Sequence, residues 1–235
     1  MREWLWPELP DNYPHRHLSH LYALFPGNDI TVESEPALFE ACRIAVEKRL
    51  TLGKRAHCGW SYAQMACLHA RLGAGEAALE CLELLARSCV EPNLLTYLCD
   101  WRGQGLAAFR GEDKSPPFQI DANFGFTAAV LEMLVFSRPG LIKLLPALPA
   151  KWPVGRVTGV LCRGGVTVSV EWDMPAGTIV VDLLSPTEQE ITLKLPRDPL
   201  RVDSDATVRE SPLGADYRVV LLRAAEPCRL EAYLG

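Results

Sequence analysis

The sequence predicts an α+β protein of two domains, a helical first part followed by an antiparallel β-sandwich. Three observations carry this. Apolar residues recur at helical spacing as far as about residue 138, and beyond it they alternate with polar ones in short runs broken by Pro and Gly. With 235 residues, 49% hydrophobic and 23% charged, the chain has enough apolar material for a substantial core and too little charge for a disordered one. The expected division is a helical domain over 1–138 and a β domain over 139–235.

The chain opens irregularly, rich in aromatic residues and proline, through Pro26-Gly27-Asn28. The first helix is expected from Pro36 to Leu50, capped by Ser34, with Leu38, Cys42, Ala45 and Val46 as its apolar stripe. A second is expected over Trp60–Leu72, stopped by Gly73, and a third over Glu76–Ser88, with Ala78, Leu79, Leu82 and Leu85 inward. A weaker helical segment lies at Asp100–Phe109. A strong one runs from Asn123 to Phe136, with Phe126, Val130, Met133 and Leu134 inward and Ser137-Arg138-Pro139-Gly140 as its stop. Several of these helices are apolar on more than one side, so they call for neighbours on both faces.

In the second part, Val166, Val168, Val170 and Trp172 alternate with Thr167, Ser169 and Glu171, the period of a half-buried strand. Arg163-Gly164-Gly165 links it as a hairpin to Val157–Cys162. Further strands are expected at Thr178–Leu184, Gln189–Leu195, Ala206–Arg209, Tyr217–Arg223 and Cys228–Leu234. Six or seven short strands fit a sandwich.

Composition narrows the function. A net charge of −5 gives no basic surface for a phosphate backbone and argues against an anionic membrane, so neither nucleic acid nor membrane is an expected partner. The first residues lack an uninterrupted apolar stretch of signal-peptide type, being broken at Pro7 and Pro10, which points to the cytoplasm unless a signal lies upstream. Eight cysteines without a C-x-x-C pair read as buried free thiols.

Two segments carry chemistry. In Tyr13-Pro14-His15-Arg16-His17-Leu18-Ser19-His20-Leu21-Tyr22, three of five histidines fall within six residues. Imidazoles can hold zinc, but the spacing is not that of an H-E-x-x-H helix and no acid lies within the cluster. The fuller reading is a polar pocket wall, with His15, Arg16, His17 and His20 directing hydrogen bonds at hydroxyls or a carboxylate. The bland alternative is that the imidazoles satisfy nearby carbonyls. His57 and His69 stand alone, and His69 reads as structural.

The other segment is Pro116-Pro117-Phe118-Gln119-Ile120-Asp121-Ala122-Asn123-Phe124-Gly125-Phe126. Asp121 stands between a proline-stiffened loop and a helix. Either Asp121 or Asn123 caps that helix, or Asp121 is a general base whose aromatic neighbours exclude solvent. Glycoside hydrolysis generally needs a second carboxyl group, and neither Glu132 nor Asp100 makes a convincing pair with it.

The order of these motifs resembles glycoside hydrolase family 95. His15–Tyr22, Phe25-Pro26-Gly27, Gly59-Trp60-Ser61, Pro116–Gly125, Leu144-Leu145-Pro146-Ala147-Leu148-Pro149 and Arg163-Gly164-Gly165 followed by the Trp172 strand occur in the family's order. The resemblance implies the last part of an (α/α)6 toroid, built of six helical hairpins, and then the C-terminal β domain. It implies inverting hydrolysis of terminal α-L-fucosyl, or in some members α-L-galactosyl, residues. Asp121 matches the family's base, and His15, Arg16, His17, His20, Trp60 and Asn123 are implied as substrate-binding residues. No metal or organic cofactor is implied; the partner is a fucosylated oligosaccharide.

The sequence departs from the family in two ways. The acid glutamate and the water-positioning asparagines of the family precede the His-Arg-His segment, and none of Glu3, Glu8 or Asn12 stands in a matching motif. Ala56-His57-Cys58-Gly59 replaces the usual Gly-Thr-Gly before Trp60-Ser61. The expectation is a fragment lacking its general acid, inactive by itself and completed by a separately encoded N-terminal portion. A non-catalytic carbohydrate-binding protein is the alternative.

Overall fold

The computed structural model describes residues 1–52, 56–108 and 116–235, with no description of the side chains of residues 50–52. They divide into two compact units, Met1–Glu132 and Met133–Gly235. The first holds helices α1 (Pro36–Leu52), α2 (Gly59–Arg71), α3 (Gly75–Ser88) and most of α4 (Ile120–Leu134). No described helix is long and apolar enough to cross a membrane.

Helices α2 and α3 form a hairpin, because Gly73 adopts φ 74°, its own N–H returns to the Ala70 carbonyl and the Ala74 N–H to that of His69. Along α3, Ala78, Cys81, Leu82, Leu85 and Ser88 are buried, whereas Glu76, Glu80, Glu83 and Arg87 are exposed. That is the helical period read from the sequence, and Leu82 and Leu85 each contribute about 1.5–3 kcal/mol by leaving water. Helix α2 is buried along nearly its whole length, in keeping with its apolar flanks.

The second unit contains two five-stranded sheets. One has the order β1 (Val135–Arg138), β2 (Leu141–Leu144), β6 (Gln189–Lys194), β9 (Gly214–Leu222) and β8 (Thr207–Ser211). The other has the order β3 (Val154–Leu161), β4 (Thr167–Asp173), β5 (Thr178–Leu184), β10 (Pro227–Leu234) and β7 (Pro199–Ser204). Strands pair antiparallel except β2 with β6. Register stacks the inward residues in rows: Val181 of β5 stands between Val170 and Leu230, and Ile179 between Trp172 and Ala232. All six are buried, while the outward positions carry pairs such as Arg229–Asp182 at 3.1 Å. Gly155 lies against the Trp172 ring, where an added Cβ would stand 2.3 Å from Cζ2. The chain is thus a helical part followed by a β-sandwich. The closed ring is implied by the resemblance and is not visible in these four helices.

Several local expectations are corrected. Ser34 does not turn toward α1: its hydroxyl accepts from the Thr31 N–H and donates to the Asp29 carbonyl, closing the preceding turn. Leu38 is 44% exposed, so the buried stripe of α1 is Cys42, Ala45 and Val46. The segment from Asp100 to Ala108 is irregular rather than helical, and Phe109 lies outside the described residues. The last helix begins at Ile120 and ends at Leu134, because Val135–Arg138 pairs with Leu141–Leu144 around Gly140 at φ 78°. Strands β1, β2 and β7 were therefore not foreseen. All eight cysteines are buried free thiols.

Candidate active site

The Asp121 segment is built where the starts of α2 and α4 converge. At the N-terminus of α2, Ser61 Oγ accepts from the Cys58 N–H at 2.7 Å and lies 3.0 Å from His57 Nδ1. The next free N–H, that of Trp60, donates to Gln119 Oε1 at 2.8 Å. Gln119, the residue before α4, thereby caps α2 with its side chain, while its carbonyl receives the Ala122 N–H at 3.1 Å. Only glycine fits at the crossing. A Cβ at Gly59 would stand 2.9 Å from both Gln119 Oε1 and the Tyr97 carbonyl, and one at Gly125 would stand 2.6 Å from Ala63 Cβ.

Asn123 fastens the same junction to the turn at residues 94–96. Its Oδ1 accepts from the Thr96 N–H (3.0 Å) and hydroxyl (2.8 Å), and its Nδ2 donates to the Leu94 carbonyl at 2.7 Å. Both ends of the amide are committed to protein groups. Since α4 starts at Ile120, Asp121 and Asn123 lie inside its first turn and neither is the residue preceding the helix. Trp60 is half-buried, packed beside Gly125 and against the cluster of Tyr62, Ala63, Leu85, Cys89 and Ala107.

Asp121 is exposed. One carboxylate oxygen accepts from the Ala122 N–H at 2.9 Å. The aromatic neighbours do not enclose it, because Phe118 and Phe124 are 51% and 70% exposed. The sequence expectation that they exclude solvent is therefore not met in this chain. With Leu94, Leu95 and Ile120 they leave large apolar side chains exposed along the junction.

The histidine segment is anchored by its leucines. Leu18, Leu21 and Leu24 are buried, a short 3-10 turn at Ser19–Leu21 lies between them, and His15, His17 and Tyr22 remain exposed. Gly27 ends the segment: its N–H reaches the Tyr22 carbonyl at 2.8 Å, where a Cβ would stand only 2.6 Å from that oxygen. Arg71 of α2 donates to the Leu24 and Gly27 carbonyls at 3.1 and 2.9 Å and pairs with Glu132. Glu132 is thus committed to holding this segment.

His15 and His17 stand with ring centroids 5.0 Å apart. Partial desolvation on one side of the ring, then the charge of Arg16, holds the His17 imidazole below its ordinary value. Burial, then Arg49, pushes His20 down to about 4, so it is neutral near pH 7. Among the described residues, no hydrogen bond, ion pair or ring contact joins His15–His20 to Asp121, and no group of three or more His, Cys, Asp or Glu is placed to hold a metal. Asp100 is fully buried, with Oδ2 taken by the Leu106 N–H, and offers Asp121 no partner on the surface.

The sequence reading missed Glu3 and Arg49, which hold the backbone around His15 from residues far away in the chain. It also missed Gln119 and Thr96, the residues that orient the Asp121 turn.

The chain thus carries an exposed carboxylate in the first turn of a helix and a separate imidazole segment, in a helical unit followed by a β-sandwich. A family model described as the glycosyl hydrolase family 95 catalytic domain matches residues 1–134, and one described as the glycoside hydrolase family 95 C-terminal domain matches residues 136–223. The chain belongs to glycoside hydrolase family 95. It is 44% identical over 173 residues to alpha-L-fucosidase 2 of Arabidopsis thaliana, covering 73% of this chain and 19% of that protein. A probable alpha-fucosidase A of Aspergillus oryzae is 34% identical over 195 residues, covering 74% of this chain and 25% of that one. The chain therefore spans about a fifth to a quarter of these relatives. A solved GH127 β-L-arabinofuranosidase from Geobacillus stearothermophilus is 14% identical with a TM-score of 0.31 over 83% of this chain and 30% of that one, a likeness that carries no argument.

Proposed function

We propose that this chain serves the inverting hydrolysis of terminal α-L-fucosyl residues of glycans, with Asp121 as general base. The observation that carries the reading is the accessible Asp121 carboxylate, held by Gln119 and Asn123 in the first turn of α4 within the region matching the family's catalytic domain. Relatives named as fucosidases support the choice of sugar.

In this mechanism Asp121 takes a proton from a water whose oxygen attacks the anomeric carbon. The bond from that carbon to the glycosidic oxygen breaks, and a carboxylic acid protonates the leaving oxygen from the opposite side. His15, Arg16, His17 and His20 hold the sugar hydroxyls, so that a sugar lacking the right hydroxyl leaves donors unpaired. Asn123 and Trp60 act from behind, fixing the Asp121 turn.

None of the three carboxyl groups weighed as the acid is free beside Asp121: Glu132 is bound to Arg71, Glu3 to Arg49, and Asp100 is buried. The isolated chain should accordingly bind fucoside without appreciable turnover, with the acid supplied by a separate polypeptide portion.

The test has two arms. Isothermal titration of the chain with L-fucose should show saturable binding that is lost in His17→Ala. Release of fucose from a 2′-fucosylated oligosaccharide should not exceed that of Asp121→Asn. Absence of binding would remove the fucoside reading, and turnover well above Asp121→Asn would remove the claim of a missing acid. Binding that persists in the presence of an acid-bearing portion, with no hydrolysis, would favour a non-catalytic carbohydrate-binding protein.

A further inference from the structure

The sandwich itself holds a cavity of about 260 Å³, wholly within Met133–Gly235. It lies where the chain crosses from β7, at the edge of one sheet, to β8, at the edge of the other. Two turns wall it. The β7–β8 turn is tied to β10: Ser204 Oγ donates to the Arg229 carbonyl at 3.1 Å, and the Arg229 N–H donates to Asp205 Oδ1 at 2.9 Å. The turn between β9 and β10 is tied to Ser185, whose carbonyl accepts the Ala225 N–H at 2.8 Å. Ala225 there takes φ 58°, a conformation that crowds a Cβ and that recurs where a fold holds a ligand.

The wall presents Asp205, Thr207, Arg223 and Glu226 as polar groups, with Leu221 and Pro227 as apolar ones. The bond from Arg229 sets the direction of the Asp205 carboxylate and leaves it lone pairs with which to accept more. Arg223 meets Glu226 at 3.6 Å, but their side chains are 72% and 62% exposed, so the pair is solvated and most of the guanidinium's donors stay open. A simple ion of either sign would meet a like charge on this wall. A ligand with several hydroxyls is donor and acceptor at once and suits both charges. Leu221 is 40% exposed and, with Pro227, offers an apolar surface to C–H groups. The volume lies below the roughly 300–1,000 Å³ of sites for larger ligands, which limits the occupant to a single ring.

We propose that this cavity is a glycan-binding site of the β domain, seating one pyranose ring of a neutral glycan. Asp205 accepts from ring hydroxyls, Arg223 and Thr207 donate to them, and the C–H face of the ring lies on Leu221 and Pro227. The choice of a sugar as occupant rests on the function proposed above; the cavity and its polar wall do not.

1H–15N correlation spectra of the full chain, titrated with 2′-fucosyllactose, resolve this site from the helical unit. Saturable shifts are expected at the amides of Asp205, Thr207, Arg223 and Cys228. Arg223→Ala and Thr207→Val, both at exposed positions, should each weaken the affinity read from those shifts by about three- to tenfold. Neither should change the response around His17 and Asp121. No saturable shift at the sandwich amides, or an unchanged affinity in both variants, would overturn the proposal. So would equal shifts produced by glycine, whose two opposite charges match the wall as a zwitterion. Shifts at His17 and Asp121 with none in the sandwich would overturn it while sparing the function proposed above. Shifts in the sandwich with none at His17 or Asp121 would support this site and count against that function alone.

Discussion

The two units differ in how completely they satisfy themselves. In Met133–Gly235 the inward residues of β4, β5 and β10 form closed apolar rows, and the outward ones pair charge with charge. Both units expose large apolar side chains, such as Trp6 and Phe124 in the first and Leu161 and Leu200 in the second. Every buried polar side-chain atom left unpartnered among the described residues, however, lies in Met1–Glu132, on His20, Arg49, Gln64, His69 or Asp100. Unsatisfied groups cost stability, commonly about 1–3 kcal/mol each. They are concentrated in the unit to which we assign the proposed chemistry, and none lies among the described residues of the sandwich.

The sharpest break in this contrast should come from Gly125→Val. With Ala63 Cβ 2.6 Å from the position of a new Cβ, the α2–α4 crossing cannot close, and a loss of about 3–5 kcal/mol is expected. Urea unfolding should show the far-UV helical signal lost early while the near-UV signal of the sandwich residue Trp172 persists. Simultaneous loss of both signals would show the units to be energetically one.

Acid should act on the helical unit next. His69 is 5% exposed, and burial pushes it down to about 4, against about 6.5 when unfolded. The unfolded chain therefore binds the proton more readily. The stability from neutral His69 is complete above about pH 6.5 and is lost as pH falls toward 4, by at most about 3 kcal/mol. His69→Gln should flatten the stability profile in that window, as read from urea midpoints at several pH values. An unchanged slope would mean that other groups set it.

Asn123→Ala should cost about 2 kcal/mol, because the buried Thr96 N–H loses its acceptor and the Leu94 carbonyl loses its donor, while the Thr96 hydroxyl keeps the Gln119 carbonyl. Asp121→Asn, on an exposed side chain, should leave the thermal midpoint nearly unchanged while abolishing hydrolysis in a preparation completed with the acid-bearing portion. If the two substitutions were equally destabilising, the division between a supporting amide and a reacting carboxylate would fail. At the small end, Arg43→Ala on α1 should not move the melting temperature resolvably, since its bridges to Glu40 and Glu47 are solvated.

Much of this was legible in the sequence. The faces of α3 and β4 follow from spacing alone, because a regular element turns period into burial without reference to anything distant. The Gly164-Gly165 hairpin was likewise readable, since both glycines take positive φ there, at 97° and 84°. The short strand β1 was not: Val135 and Phe136 continue the apolar run of α4, and only pairing with Lys143 and Leu144 makes them a strand.

The site divides in the same way. The residue types at His15–His20 and Asp121, and the family they resemble, were fixed by local order along the chain. The tertiary structure decided that Asn123 and Gln119 brace the turn that carries Asp121, that Phe118 and Phe124 leave its carboxylate open, and that Arg49 and Glu3 hold the histidine segment. Arg49 and Glu3 lie 46 residues apart in the chain. No short-range pattern encodes such a contact, because it exists only once α1 has been packed beside the irregular N-terminal stretch.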